Sequence, residues 1–238
     1  MIVQACLNGA RPVDYHPRLP LSADAMAQDG AACIAAGAAE LHIHPRGQDR
    51  QESLVAVGDT IRAVRRACPG TLIGVSTGAW ITGDERRTRD EIAAWQELPD
   101  YASVNLADPD APAVIALLQR MGVGVEAGLA SVADAERFVA LQERKRVFRI
   151  LIEIEEQETE EADAVATGIV QVLEAADVHR PLLLHGFDAT VWHFVERAFA
   201  MNVSTRVGLE DGCTLPNGDI ADGNARLVSQ AMEFRRAR

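Results

Sequence analysis

The sequence predicts a (β/α)8 barrel, a TIM barrel formed by residues 1–238 as a single domain, on three observations. Short β-branched apolar runs alternate with longer stretches of helical period from end to end. There are eight such units of about 30 residues, the rhythm of a closed parallel barrel. Each apolar run also ends in polar residues, where barrels of this class place their chemistry. A doubly wound open sheet is the alternative, but no Gly-x-Gly-x-x-Gly follows the first run.

The strands read, in order, Ile2 to Leu7, Glu40 to His44, Leu72 to Ser76, Tyr101 to Asn105, Gly122 to Glu126, Arg149 to Glu153, Pro181 to His185 and Ser204 to Gly208. Helices begin near Ser22, Leu54, Asp84, Asp110, Ser131, Glu160, Asp188 and Asn224. Ser22 and Ser131 each offer an N-cap hydroxyl with an acid in the following turn, the favoured start of a helix. Composition is even along the chain, and 48% apolar residues are enough for one large core. No linker or low-complexity segment interrupts it, and the acidic run Glu153 to Glu161 reads as a solvated loop or helix start.

Charge and composition exclude several roles. The net charge is -12, with 35 acidic against 23 basic residues, and the arginines gather only in short runs such as Arg62 to Arg66 and Arg144 to Arg149. Nucleic acid is therefore not an expected partner. No stretch reaches the ~18 apolar residues of a membrane helix, and the first residues lack a secretory signal pattern. Cys6, Cys33, Cys68 and Cys213 show no paired spacing, which fits reduced thiols in a cytoplasmic protein. Cys6 and Cys33 read as core filling.

The second strand carries the sharpest chemical signal. His42 and His44 are two apart at the end of an apolar run closed by Pro45, so both imidazoles face one way. Two such rings supply half of a tetrahedral zinc sphere, although a hydrogen-bonded core pair is the plainer alternative. The eighth strand ends in Arg206, then Glu210 and Asp211. Glu210 can complete a His2Glu site with an open fourth position, Asp211 can serve as a base, and Arg206 can grip a carboxylate or pair with Asp211. Arg11, Ser76, Thr77, Ser103, Asn105, Glu126, Glu153 and His185 complete the polar set at the strand ends.

These residues resemble a known family, the zinc-dependent β-keto acid cleavage enzymes of the 3-keto-5-aminohexanoate cleavage type. The resemblance runs through Leu7-Asn8-Gly9-Ala10, Leu19-Pro20-Leu21-Ser22, Gly37 to His44, Val75-Ser76-Thr77-Gly78, Ala102-Ser103-Val104-Asn105, Val207-Gly208-Leu209-Glu210-Asp211 and Asn224 to Val228. It implies a barrel that condenses a short β-keto acid with acetyl-CoA, giving acetoacetate and a new CoA ester by a retro-Claisen reaction. It further implies zinc on His42, His44 and Glu210, Asp211 as general base with Arg206 beside it, and Ser76 and Ser103 as substrate contacts. Homo-oligomers, tetramers or dimers, are common in that family, and the apolar helix Val191 to Met201 could face a second copy.

Two departures qualify the resemblance. Arg11 stands where the amino-substrate enzyme has a Glu for the substrate's ammonium, so an aminated substrate is not expected. A second anionic group on the substrate is the natural expectation, unless Arg11 pairs with Asp14. The chain also passes from Ile150-Leu-Ile-Glu-Ile-Glu155 into an acidic helix start, without the usual Gly/Pro-rich loop over the pocket. Its acids would repel CoA phosphates, which leaves a CoA-independent zinc lyase, aldolase or hydrolase as the alternative, and a non-catalytic sensor of a small anion or metal as a third reading.

Overall fold

A computed structural model describes residues 1–236. Eight parallel strands form one sheet: β1 (Val3–Cys6), β2 (Glu40–Ile43), β3 (Leu72–Ser76), β4 (Tyr101–Asn105), β5 (Gly124–Leu129), β6 (Arg149–Ile154), β7 (Leu182–Gly186) and β8 (Thr205–Val207). Each strand lies beside the next in sequence, and β8 pairs with β1. The parallel bridge Leu183 to Ser204 brings β7 to β8 and closes the cylinder. Helices α1 (Ala23–Ala35), α2 (Val57–Ala67), α3 (Glu85–Ala93), α4 (Ala111–Met121), α5 (Val132–Ala140), α6 (Thr159–Ala175), α7 (Val191–Ala200) and α8 (Asn224–Arg236) follow the strands in turn. This is the TIM barrel expected from the eightfold alternation.

Local chemistry sets the helix starts. Ser22, Asp84 and Ser131 sit in extended backbone, and their side chains accept from the amides of Ala25, Arg87 and Asp134, satisfying donors that a first turn leaves free. On α7, Phe194, Val195, Ala198 and Phe199 are buried within the chain itself, so its apolar face is already covered.

One strand departs from the sequence reading. Gly122 adopts a left-handed conformation that caps α4, so β5 starts at Gly124 and continues past Glu126 to Leu129. The charge of Glu126 does not end the strand because Arg149 answers it across the sheet, in register. Arg149 also donates to Glu40 Oε2 at 2.6 Å, and Gln4 donates to the Tyr101 hydroxyl at 2.8 Å. The lower barrel is thus a polar layer knit by its own ion pairs, and Glu126 belongs to it.

Candidate active site

Register decides which side chains meet above that layer. His42 on β2 and His44 one residue past its end point the same way, and Asn8 pins the second by donating to its carbonyl at 2.8 Å and accepting from its amide at 2.9 Å. Glu210 arrives from the turn after β8. Asn224 holds that turn, accepting from the Leu209 amide at 2.6 Å while donating to Leu7 O at 2.8 Å. Gly9, at a φ of 51°, leaves the space that the Glu210 side chain fills; a Cβ there would collide with Glu210 Cγ.

The three predicted ligands therefore come together: one ligand atom from each of His42, His44 and Glu210 lies within 4.8 Å of the others. The two Nε2 atoms are 3.2 Å apart, and Glu210 Oε1 is 3.4 Å from His44 Nε2 and 3.9 Å from that of His42. The set suits a divalent cation such as zinc. Its two borderline nitrogens and one oxygen converge on one point, and Glu210 Oε2 is buried with no hydrogen-bond partner among the described residues. The far nitrogen of His44 meets Glu52 Oε2 at 2.6 Å, the carboxylate–imidazole pairing usual behind a ligating histidine.

Arg206 bridges the acids of the turn, with its Nη2 atom 2.9 Å from both Glu210 Oε1 and Asp211 Oδ1. Burial pushes the Glu210 pKa upward, but Arg206 and the two histidines outweigh it and hold the carboxyl well below its usual range. For Asp211 burial wins over Arg206, and its pKa rises to about 7. Cys6 donates its thiol to Asp211 Oδ2 at 2.9 Å, so this residue touches the site rather than merely filling the core. Burial, with Arg206 adding to it, holds His185 well below the ordinary histidine value, so its ring is neutral.

A cavity of about 570 Å³ opens above this cluster, lined by Arg11, His42, His44, Ser76, Ser103, Asn105, Arg206 and Glu210 among others. Thr77, Glu126, His185 and Asp211 are not on its wall. Thr77 turns outward and donates to Ser103 O at 2.7 Å. Glu126 is held a layer deeper by Arg149, and His185 lies behind the wall, 3.5 Å from Asp211 Oδ1. Arg11 pairs with Asp188 at 2.7 Å, not with Asp14, and also donates to the backbone oxygens of Glu210 and Asp211.

Two more acids matter, Glu153 from the strand-end polar set and Glu52, which the sequence does not single out. Glu153 stands on the cavity wall, half-buried, and burial drives its pKa to about 7 against the pull of Arg206. Its position at the end of the sixth strand was a usable signal. Glu52 gave no such signal, because it reaches His44 only through a hairpin in which Arg46 bridges to Glu52 and Gly47 donates to Gln51 O at 2.8 Å.

The family model described as beta-keto acid cleavage enzyme matches residues 1–161 and 159–238. Among solved structures, the chain is similar to ObcA in a ternary complex with a C4-CoA adduct and oxalate, at 19% identity and a TM-score of 0.75, covering 93% of this chain and 64% of that one. It is likewise similar to ObcA with oxaloacetate, at 18% identity and a TM-score of 0.73, again over 93% and 64%. A type I 3-dehydroquinate dehydratase from Clostridium difficile matches at 11% identity and a TM-score of 0.68, over 100% of this chain and 93% of that one. At such identities the likeness is one of fold, and the chain spans less than two thirds of the ObcA length.

Proposed function

Because the chain belongs to the β-keto acid cleavage enzyme family, we propose that it cleaves a short β-keto acid by a retro-Claisen reaction with acetyl-CoA as acyl acceptor. In balance, the bond between the keto carbon and the carboxymethyl carbon breaks and so does the acetyl thioester. The keto acyl group takes the thiolate, and the acetyl group joins the carboxymethyl carbon as acetoacetate. The observation that carries this reading is the meeting of His42, His44 and Glu210 beneath a cavity lined by hydroxyl, amide and guanidinium groups. The structures of ObcA with a C4-CoA adduct and with oxaloacetate support the same substrate class.

His42, His44 and Glu210 would hold a zinc ion, which when bound supplies Lewis acidity toward the keto oxygen. Ser76 accepts from the Gly78 amide at 3.2 Å, so its hydroxyl proton is left to donate into the cavity, beside Ser103 and Asn105. Those donors fit the substrate carboxylate. Arg206 presents fixed positive charge to the enolate that develops as the bond breaks. Asp211 is the proton acceptor of this reading, its pKa of about 7 lying near the value that favours exchange at neutral pH. It sits one hydrogen bond behind Arg206, while Glu153 faces the cavity directly and is the second group able to exchange protons there. Arg11 offers no acceptor to an ammonium, which supports a substrate without an amino group.

Turnover of a β-keto acid panel with and without acetyl-CoA tests the proposal, together with metal analysis of His44→Ala and Glu210→Gln. Loss of bound zinc and of activity in both variants is expected. Full activity in both would discard the metal role, and turnover without the thioester would favour a lyase or hydrolase. That second reading has its own support, because Asp134, Glu153, Glu155 and Asp188 all line the cavity and disfavour a phosphate-bearing partner.

A further inference from the structure

The contacts of Glu52 run in two directions. One carboxylate oxygen meets His44 Nδ1 at 2.6 Å, and the other accepts from the Trp80 indole nitrogen at 3.0 Å. Glu52 is only 9% exposed, whereas Trp80 is 51% exposed. Trp80 lies in the 3-10 turn Ala79–Ile81 after β3, and its ring is shared between the main cavity and a neighbouring one lined by Arg46, Gln51 and Glu52. The turn is itself anchored, since the Ala79 amide donates to Asp108 Oδ2 at 3.1 Å.

We propose that Glu52 is a positioning residue that fixes the proton of His44 on Nδ1 and aims Nε2 at the cation site, and that Trp80 is the latch that holds Glu52 in place. This rests on the reading of His42, His44 and Glu210 as cation ligands. The physical reason is geometric. An imidazole that donates from one nitrogen to a fixed carboxylate has one tautomer and one ring orientation left, and its other nitrogen gains basicity. Glu52 is carried by a loop, so its own orientation needs a second anchor, and the indole N–H supplies it. The rim of the cavity and the ligand set are thereby one connected unit, and a change in Trp80 is felt at His44.

The other two tryptophans give this unit a clean optical readout. Trp95 is buried and donates to Leu54 O, and Trp192 donates to Thr214 O, so neither touches the site.

The test titrates zinc into the full chain against a chromophoric chelator, using the wild type, Glu52→Ala, Glu52→Gln, Trp80→Phe and the double variant Glu52→Ala/Trp80→Phe. Glu52→Ala should weaken zinc binding by about 10- to 100-fold, the usual cost of losing such a partner. Glu52→Gln keeps the volume and one acceptor and should fall between Glu52→Ala and wild type. Trp80→Phe should weaken binding several-fold alone but add nothing to Glu52→Ala, because it acts only through that residue. Zinc should also shift the tryptophan emission of the wild type but not of Trp80→Phe.

Unchanged zinc affinity in Glu52→Ala and Glu52→Gln would overturn the positioning role while leaving the cation site standing. Equal losses from Trp80→Phe with and without Glu52 would overturn the latch. Failure of the wild type to bind zinc any better than His44→Ala would sink the cation-site reading, and the positioning role with it.

Discussion

Replacing Arg206 by Met is the most searching perturbation of the site. Arg206 is 2% exposed and its Nη2 atom lies 2.9 Å from both Glu210 Oε1 and Asp211 Oδ1, with Asp211 fully buried. Methionine approximates the volume but leaves Asp211 without its cation and Glu210 with only the two histidines. Removing one partner from a buried ion pair costs about 3–5 kcal/mol. At ~2–4 °C per kcal/mol for a chain of this size, the melting temperature should fall by roughly 6–20 °C. The loss must depend on pH, with a definite sign. In the variant the Asp211 pKa, already raised by burial, rises further, and Glu210 keeps only the two histidines to hold it down, so protonated forms are more favoured than in the wild type and the variant is least penalised near pH 4. The penalty grows as pH rises toward and past 7. Asp211 already behaves this way in the wild type, at about 7, while Glu210, held low by Arg206, contributes stability above its unfolded value that is lost on acidification. The gap between wild type and variant should therefore widen from pH 4.5 to pH 7.5 in calorimetric melts. A gap below about 2 °C, or one that does not change with pH, would refute the view that Arg206 is the counter-charge holding these acids.

Asp211→Asn should remove the acid limb near pH 7 from kcat/KM and cost about 10²- to 10⁴-fold, whereas Glu153→Gln should cost less than about 10-fold; the reverse order in pH–rate profiles would move the base to the cavity wall. Asn224→Ala strands the Leu209 amide and the Leu7 carbonyl in the interior and should lower stability in urea by about 2–4 kcal/mol, with smaller loss in Asn224→Asp, which keeps the acceptor. If acetyl-CoA is the acceptor, the acids lining the mouth should make its KM fall as ionic strength rises from about 0.02 to about 0.2 M, since salt screens repulsion; a rising KM would show that its phosphates find cations elsewhere.

What could be read from the chain alone follows a physical boundary. The strands β3 and β4 carry their exact apolar spans in sequence, and Ser22, Asp84 and Ser131 announce their helices because an N-cap is a local interaction. Alternation along β2 and the position of Glu210 after β8 were enough to nominate three residues that meet in space. The failures other than Thr77 are non-local. Glu126 reads as a strand end in the sequence, whereas its pairing with Arg149 from the next strand accommodates the charge inside β5, which continues to Leu129. Thr77 and Ser76 are adjacent, yet strand alternation sends one outward and the other to the cavity. Cys6 looks like core until Asp211, 205 residues away, arrives beside its thiol. Glu52 and Asp188 enter through loop geometry that no periodicity encodes.

The distribution of incomplete hydrogen bonding gives an argument for function that is independent of resemblance. Folded proteins leave few buried polar atoms without partners, and each one calls for a cause. Among the described residues nine such side-chain atoms occur, and five of them, His42 Nδ1, both nitrogens of His185, Arg206 Nε and Glu210 Oε2, gather in one cluster; Gln4 Oε1 and Glu126 Oε2 lie in the layer below, and Arg46 Nε and Glu156 Oε2 elsewhere. A barrel interior filled only for stability would replace them with Leu, Ile or Val, as buried ion pairs seldom add stability over apolar packing. Here the lower layer around Arg149 closes its ion pairs internally, while the layer above it ends in converging donors and acceptors beneath an open cavity. The chain thus accepts the cost of charge burial twice and uses it differently each time. The lower layer holds the cylinder together, and the upper one leaves its charges pointing at a guest.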